Sequence, residues 1–333
     1  MNDLVATARS LFSPGKGLLA ADESVATETK RLAAYGISAG EEMRRQSRDL
    51  FLGAGGIEKY LSGVILFSET LLEKGNDKKL FSKSLAARGI LPGVKVDLGT
   101  ELMSASPDEL ITQGLLDLPE RLALYKKQGA MFTKWRAVIR IRGVELPTAS
   151  AIHENVIRLA SYAKEAQSAG LVPILEPEVL YEGKHSRQRA RAVLTETLGT
   201  LFSVLNEHAV DRASLILKTS MVLSGSESGK KDTPEEVAGD TLAALMESVP
   251  SQIAGIVFLS GGQTPDQATA NLAAIARHAH TVSAPWPLTF SYARALQEEA
   301  LLKWRGEKEN VPAARAAFLT RLGKVSAAAA AAR

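Results

Sequence analysis

Eight short apolar, β-branched runs recur along the chain, each closing on a polar or charged residue and each followed by a helical pattern. They occupy residues 17–22, 62–67, 93–97, 132–136, 172–176, 215–218, 255–260 and 287–291. Consecutive runs start roughly 30–45 residues apart, room for a strand, two loops and the crossover helix that parallel neighbours require. Between them, residues 148–170 carry apolar side chains at Ala149, Ile152, Val156, Leu159, Ala160 and Ala163, the spacing of one helix face, and stop at Gly170. Thr233-Pro234-Glu235-Glu236 and Thr264-Pro265-Asp266 open two more helices with a capping threonine, a first-turn proline and acids near the positive dipole end.

Eight strand-helix units with no Ser/Gly linker to divide them predict one closed (β/α)8 barrel over residues 1–333 rather than a doubly wound sheet. Residues 1–13 and 312–323 read as helices outside the repeat, and the Ala-rich end from about 326 is expected to fray. A barrel places its chemistry at the C-terminal ends of its strands. Those ends read Asp22, Glu69, Lys95, Lys134, Arg136, Glu176, Glu178, Lys218, Ser260 and Arg294, a concentration of charge that structure alone does not require.

Composition removes several classes of chemistry. With no cysteine there is no disulfide, thiolate nucleophile, zinc ribbon or cysteine-held iron–sulfur cluster. The 40 basic and 37 acidic residues leave a net charge of +3, scattered rather than gathered, so nucleic acid is not an expected partner. The densest basic stretch, Arg187-Gln188-Arg189-Ala190-Arg191, reads as a solvated helix face. No apolar signal core opens the sequence and no run reaches the ~18 residues that span a bilayer, so a cytoplasmic protein without a membrane partner is expected. None of the five histidines ends a predicted strand, and no metal is expected.

The residues at the strand ends suggest a division of labour. Ile216-Leu217-Lys218 places an amine at the end of an apolar strand. An ordinary lysine, with a pKa near 10.4, is a poor nucleophile at neutral pH, but desolvation and a neighbouring cation both favour the free amine. The competing reading is a strand-end lysine that reaches into solvent. Lys134 and Arg136 alternate onto one face of their strand, as do Glu176 and Glu178 on theirs. Two cations aimed into one barrel mouth imply either a phosphorylated ligand with acidic partners or an ion-pair network without ligand. Ser260-Gly261-Gly262-Gln263, just before a capped helix, offers backbone N–H groups to a phosphate, and Ser291 and Arg294 supply a hydroxyl and a guanidinium.

All of these residues except Ile216-Leu217-Lys218 stand in segments that, together, resemble the class I fructose-1,6-bisphosphate aldolases from about residue 4 to residue 323. The segments are residues 14–24, 63–70, 134–136, 172–178, 258–263 and 289–297. The resemblance implies a TIM barrel, no cofactor, and reversible aldol cleavage of fructose 1,6-bisphosphate through a lysine imine. It implies Lys218 as the Schiff-base nucleophile, Glu176 as acid/base for carbinolamine dehydration, and Asp22 as the base that takes the C4 hydroxyl proton. Lys134 would assist by its charge, and Glu178 would position the lysines. The C1 phosphate would lie on Ser260, Gly261, Gly262, Ser291 and Arg294, and the C6 phosphate near Ser24, Arg31, Lys95 and Arg136.

The same likeness implies a cytoplasmic homotetramer acting on small sugar phosphates. Sedoheptulose 1,7-bisphosphate, fructose 1-phosphate or a non-catalytic scaffold role are the competing functions. The sequence departs from the family pattern at Thr219-Ser220 after the lysine and at Ala293, where a glycine is usual. Its last tyrosine is Tyr292, so the proton exchange that many members give to a C-terminal tyrosine is expected either to fall to another group or to water, or to limit turnover.

Overall fold

The computed structural model describes residues 2–38, 40–104 and 106–331. Ten strands occur in it: β1 (Gly17–Ala21), β2 (Leu61–Leu66), β3 (Leu91–Lys95), β4 (Thr100–Met103), β5 (Ser106–Thr112), β6 (Phe132–Ile139), β7 (Val172–Val179), β8 (Ile216–Thr219), β9 (Gly255–Phe258) and β10 (Leu288–Tyr292). The helices are α1 (Asn2–Ser10), α2 (Val25–Ala34), α3 (Glu41–Leu52), α4 (Phe81–Ala87), α5 (Leu118–Lys127) and α6 (Ala149–Ser168). They continue with α7 (Arg187–Glu207), α8 (Pro234–Ser248), α9 (Pro265–Thr281), α10 (Arg294–Trp304) and α11 (Val311–Ala329).

All strands but β4 and β5 close a parallel barrel in the order β1-β10-β9-β8-β7-β6-β3-β2. Every one of the eight expected runs is a barrel strand. β6 and β7 run further than the sequence suggests and stay paired from Phe132↔Val172 to Ile139↔Val179. Arg136, Glu176 and Glu178 therefore sit on ladder-held backbone rather than on loops, which fixes their side chains more tightly than a loop could.

Side chains alternate between two cores. Leu18, Ala20, Ile65, Phe132, Val172, Ile174, Ile216 and Val257 fill the barrel, and Ala8 with Leu11 plugs its N-terminal end. Leu19, Val64, Trp135, Leu175, Leu217 and Ile256 face the helices instead. Gly93 makes room for the Phe132 ring, because a Cβ there would lie 2.2 Å from it. Gly93→Ala is therefore expected to overpack the barrel and cost about 1–3 kcal/mol, read as a lower denaturation midpoint.

Three expectations need correction. The Ala-rich end does not fray up to Ala329: α11 runs through it, burying Val325 and Ala328, and the Ser326 hydroxyl donates to Gly15 O. The small side chains let this last stretch pack closely against the segment before β1. The basic stretch at 187–191 is not simply solvated, since Arg187 pairs with Asp232 at 2.7 Å and Asp240 at 2.6 Å and stitches α7 to α8. The antiparallel β4–β5 hairpin, inserted after β3, was not legible. Its strands lack clean alternation and contain Pro107, but tertiary bonds hold it: Thr112 Oγ1 donates to Arg136 O at 2.8 Å, and Asn155 Nδ2 to Leu110 O at 2.8 Å.

Candidate active site

At the C-terminal ends of the barrel strands lies a cavity of about 970 Å³. Every residue expected to act in catalysis or substrate binding lines it except Gly262, whereas Glu69, expected among the charged strand ends, lies off the cavity, 3.5 Å from Arg48. Gly262 stands just behind the wall, where a Cβ would be 3.7 Å from Arg294 Nη2.

The floor is a chain of alternating charges drawn from four strands. Asp22, just past β1, lies 2.6 Å from Lys134 Nζ through Oδ2. Lys134 Nζ is also 3.0 Å from Glu176 Oε2, an ion contact outside hydrogen-bond alignment. Glu176 Oε1 is 3.0 Å from Lys218 Nζ. All four are buried, with Lys134 and Lys218 each 3 % exposed, so Lys218 does not reach into solvent. Two carboxylates and two ammonium groups balance, which is what permits this much charge beneath a barrel mouth.

The cost of desolvation is visible in the titration of these groups. Burial opposes the charged form of Glu176, but Lys134, Lys218 and Arg136 outweigh it and hold the carboxyl well below its ordinary range. Burial likewise works against the Lys134 ammonium, and Asp22 and Glu176 overcome it, keeping this lysine charged beyond the ordinary lysine range. Glu176 is thus the hinge of the network: its proton affinity rests on having two cations beside it.

Glu178 has a different partner from the one expected. Its Oε2 accepts from Arg136 Nε at 2.5 Å, and Glu176 alone bridges the two lysines. One turn of period two separates these carboxylates along β7, enough to move Glu178 from the amines to the guanidinium of the neighbouring strand.

The cations along the walls differ in how far they are committed. Lys95 Nζ lies 2.5 Å from Asp97, Arg136 is taken by Glu178, and Arg31 Nε lies 2.8 Å from Glu23 while its Nη1 donates to Gln297. The pole expected from Ser24, Arg31, Lys95 and Arg136 is therefore an ion-paired cluster rather than a free basic patch. Ser24 itself caps α2, accepting from Thr27 N at 3.3 Å. Arg294, by contrast, has no ion pair among the described residues. Beside it Ser291 is buried with an Oγ that finds no partner. Gly261 and Gly262 follow Ser260 at φ +53° and +89°, and Thr264 caps α9 just beyond. An unclaimed guanidinium, an orphaned buried hydroxyl and a glycine turn at a helix start together make an open anion site.

Ala293 sits at φ −105°, so the residue that replaces the usual glycine is not in the left-handed region where a methyl is strained. Glu23 and Asp97 were missed as partners. Asp97 was visible as the end of the third run, two positions after Lys95, but its pairing depends on the hairpin loop that turns it back. Among the described residues no three histidine, aspartate or glutamate side chains are grouped as metal ligands, and no helix is long and apolar enough to cross a membrane.

Comparison with known proteins gives the same reading along the whole chain. A family model described as "Fructose-bisphosphate aldolase class-I" matches residues 3–332. The chain is 45% identical over 320 residues to the cytosolic fructose-bisphosphate aldolase 6 of Arabidopsis thaliana, covering 96% of this chain and 88% of that one. It is 44% identical over 315 residues to fructose-bisphosphate aldolase B of Gallus gallus, covering 94% and 86%. A solved structure of fructose-bisphosphate aldolase from Plasmodium falciparum superposes with a TM-score of 0.96 at 41% identity, covering 99% of this chain and 94% of that one. Fold and comparisons define an enzyme of the lyase class built on a (β/α)8 barrel. The chain belongs to the class I fructose-bisphosphate aldolase family.

Proposed function

We propose that this enzyme reversibly cleaves fructose 1,6-bisphosphate into dihydroxyacetone phosphate and glyceraldehyde 3-phosphate, with Lys218 as the imine-forming nucleophile. The observation that carries this reading is the Lys218 amine, buried in a large cavity and 3.0 Å from Glu176 Oε1, with an open anion site at the same rim. A proton passes from Lys218 Nζ to Glu176, and the freed amine adds to the C2 ketone. Formation of the uncharged carbinolamine removes one of the two cations beside Glu176, so its proton affinity rises as the step proceeds. Glu176 can then protonate the departing C2 hydroxyl, which leaves as water and yields the iminium. Asp22 takes the C4 hydroxyl proton while the C3–C4 bond breaks, and the electron pair moves onto the iminium nitrogen as an enamine. The aldehyde departs, a water protonates C3 as its hydroxide takes up the proton held by Asp22, and a second water hydrolyses the iminium to release the ketone and the Lys218 ammonium. Lys134, charged throughout, steadies Asp22 and Glu176 between these transfers. Glu178 acts through Arg136.

The two phosphates meet unlike sites. The C1 phosphate takes the open site of Ser260, Gly261, Ser291 and Arg294, with Gly262 shaping the turn behind. The C6 phosphate reaches Ser24, Arg31, Lys95 and Arg136 only by sharing cations with Glu23, Asp97 and Glu178. Arg294→Ala is accordingly expected to raise KM for both fructose 1,6-bisphosphate and fructose 1-phosphate about 10–100-fold. Lys95→Met is expected to raise it for the bisphosphate alone. Equal effects of Lys95→Met on the two sugars would contradict the C6 assignment.

The chemistry is tested by borohydride reduction with dihydroxyacetone phosphate followed by peptide mass mapping. A reduced adduct on Lys218 is expected, and an unmodified Lys218 overturns the proposed nucleophile. Chelator is expected to leave turnover unchanged, because every step above runs on nitrogen and oxygen groups of the chain itself. Cytoplasmic location follows the cytosolic naming of the plant relatives. A homotetramer agrees with the leucines left exposed on and beside β4, Leu98, Leu102 and Leu116, the last 88% exposed; light scattering of the purified protein gives the assembly directly.

A further inference from the structure

The helix α2 lays a stripe of side chains along one wall of the cavity. Thr27, Arg31 and Tyr35 stand four residues apart, so they share one face, and all three line the cavity. Arg31 is committed to Glu23 and, through Nη1, to Gln297 on α10. Gln297 is one helical turn beyond Arg294 and so lies on the same side of α10. The Arg31–Gln297 bond therefore docks the Tyr35-bearing face of α2 alongside the unpaired guanidinium of Arg294. Tyr35 closes α2 as its C-cap residue, and its ring is half-buried against the outer core. Its phenol oxygen has no hydrogen-bond partner among the described residues.

We propose that Tyr35 is a specificity-determining residue: its phenol O–H donates to the phosphoryl group drawn in by Arg294, favouring ketoses phosphorylated at C1. This rests on the aldolase reading and adds to it a residue that no part of the mechanism uses. The chemistry suits a donor. Burial and Glu298 push the phenol above its ordinary range against the opposing pull of Arg31 and Arg294, so the group keeps its proton through neutral and moderately alkaline pH. A charge-assisted bond to a phosphate oxygen is then available in the ground state and through the reaction, which makes the effect one of binding rather than of turnover.

Tyr35→Phe removes the hydroxyl and keeps the ring. KM for fructose 1,6-bisphosphate and half-saturation of borohydride trapping by dihydroxyacetone phosphate are expected to rise together, about 3–10-fold, with kcat within about twofold. Trapping by unphosphorylated dihydroxyacetone should be unchanged. The ratio of wild type to variant should stay flat from about pH 6 to about pH 9, since an ordinary phenol titrates near 10. Tyr35→Leu serves as the packing control. If Tyr35→Phe behaves as wild type while Tyr35→Leu is impaired, the ring and not the hydroxyl matters, and the proposal is overturned. A fall in kcat at constant KM overturns it as well. Binding of inorganic phosphate, measured calorimetrically, separates this proposal from the imine mechanism. A weaker affinity in Tyr35→Phe upholds the Tyr35 contact even where no Lys218 adduct forms, and an unchanged affinity refutes it even where the adduct does form.

Discussion

Lys218→Met is expected to lower kcat for cleavage by on the order of 10⁴-fold or more, while the protein stays folded. The proposed reaction needs a nitrogen that can bond to C2, carry a positive charge and then accept the C3–C4 electron pair. Methionine fills the same buried space without a nitrogen, and no second amine is positioned to replace it, because Lys134 is fixed between Asp22 and Glu176. Lys218→Arg sharpens the test. It restores a cation beside Glu176 but cannot form an imine, so activity should remain lost even where stability is regained. Recovery of substantial turnover in the arginine variant would show that Lys218 acts by charge alone. Stopped assays at saturating substrate, together with the absence of a borohydride adduct, give the answer.

Lys134→Met should affect the fold as well as the reaction. Among the described residues Lys134 is the only cation paired with Asp22, and with Lys218 it is one of two paired with Glu176. Removing it leaves buried carboxylate charge uncompensated, a defect that costs about 3–5 kcal/mol in comparable buried pairs. The pH dependence gives this prediction a sign. In the native protein burial pushes the Glu176 carboxyl up, but Lys134, Lys218 and Arg136 outweigh it and hold it below its ordinary 4.5, so its contribution to stability is present above the ordinary value and is lost as pH falls below it. Without Lys134, only Lys218 and Arg136 remain to oppose the desolvation of Glu176, and its folded-state value moves up toward the ordinary one. Glu176 should then contribute a smaller loss of stability on acidification than it does in the wild type. Denaturant titrations at several pH values measure both trends. A variant as stable as wild type at pH 7, or one that loses stability more steeply in acid, would contradict the charge-chain account.

The difference between the two anion sites bears on selectivity. At the Arg294 rim a phosphate gains a guanidinium and an orphaned hydroxyl without displacing anything. At the other rim it must compete with Glu23, Asp97 and Glu178 for their cations. The C1 phosphate should accordingly dominate affinity, and the C6 phosphate should act more through discrimination between substrates.

The eight strands were legible because each is a short apolar run that ends in charge, and parallel strands buried on both faces leave that signature. The alternation of side chains along β6 and β7 also predicted correctly that Lys134 and Arg136, and Glu176 and Glu178, would share a face. The hairpin β4–β5 was not legible, since its pairing is paid for by bonds to Arg136 and Asn155 rather than by its own pattern. The fraying expected of the alanine run failed for a related reason: alanine favours helix, and whether that helix persists depends on a surface to pack on, here the segment around Gly15.

Periodicity and residue chemistry in the sequence determined that this chain forms a barrel, which residues face its mouth, and that amines and carboxylates gather there. Tertiary structure alone decided who pairs with whom. Glu176 rather than Glu178 bridges the lysines, Arg31 is taken while Arg294 stays open, and Tyr35 comes to line the same cavity as that open cation. The reason is one of scale: period two along a strand fixes the face a side chain points to, whereas an ion pair forms or fails within an ångström, and that distance is set by the twist and stagger between strands far apart in the chain.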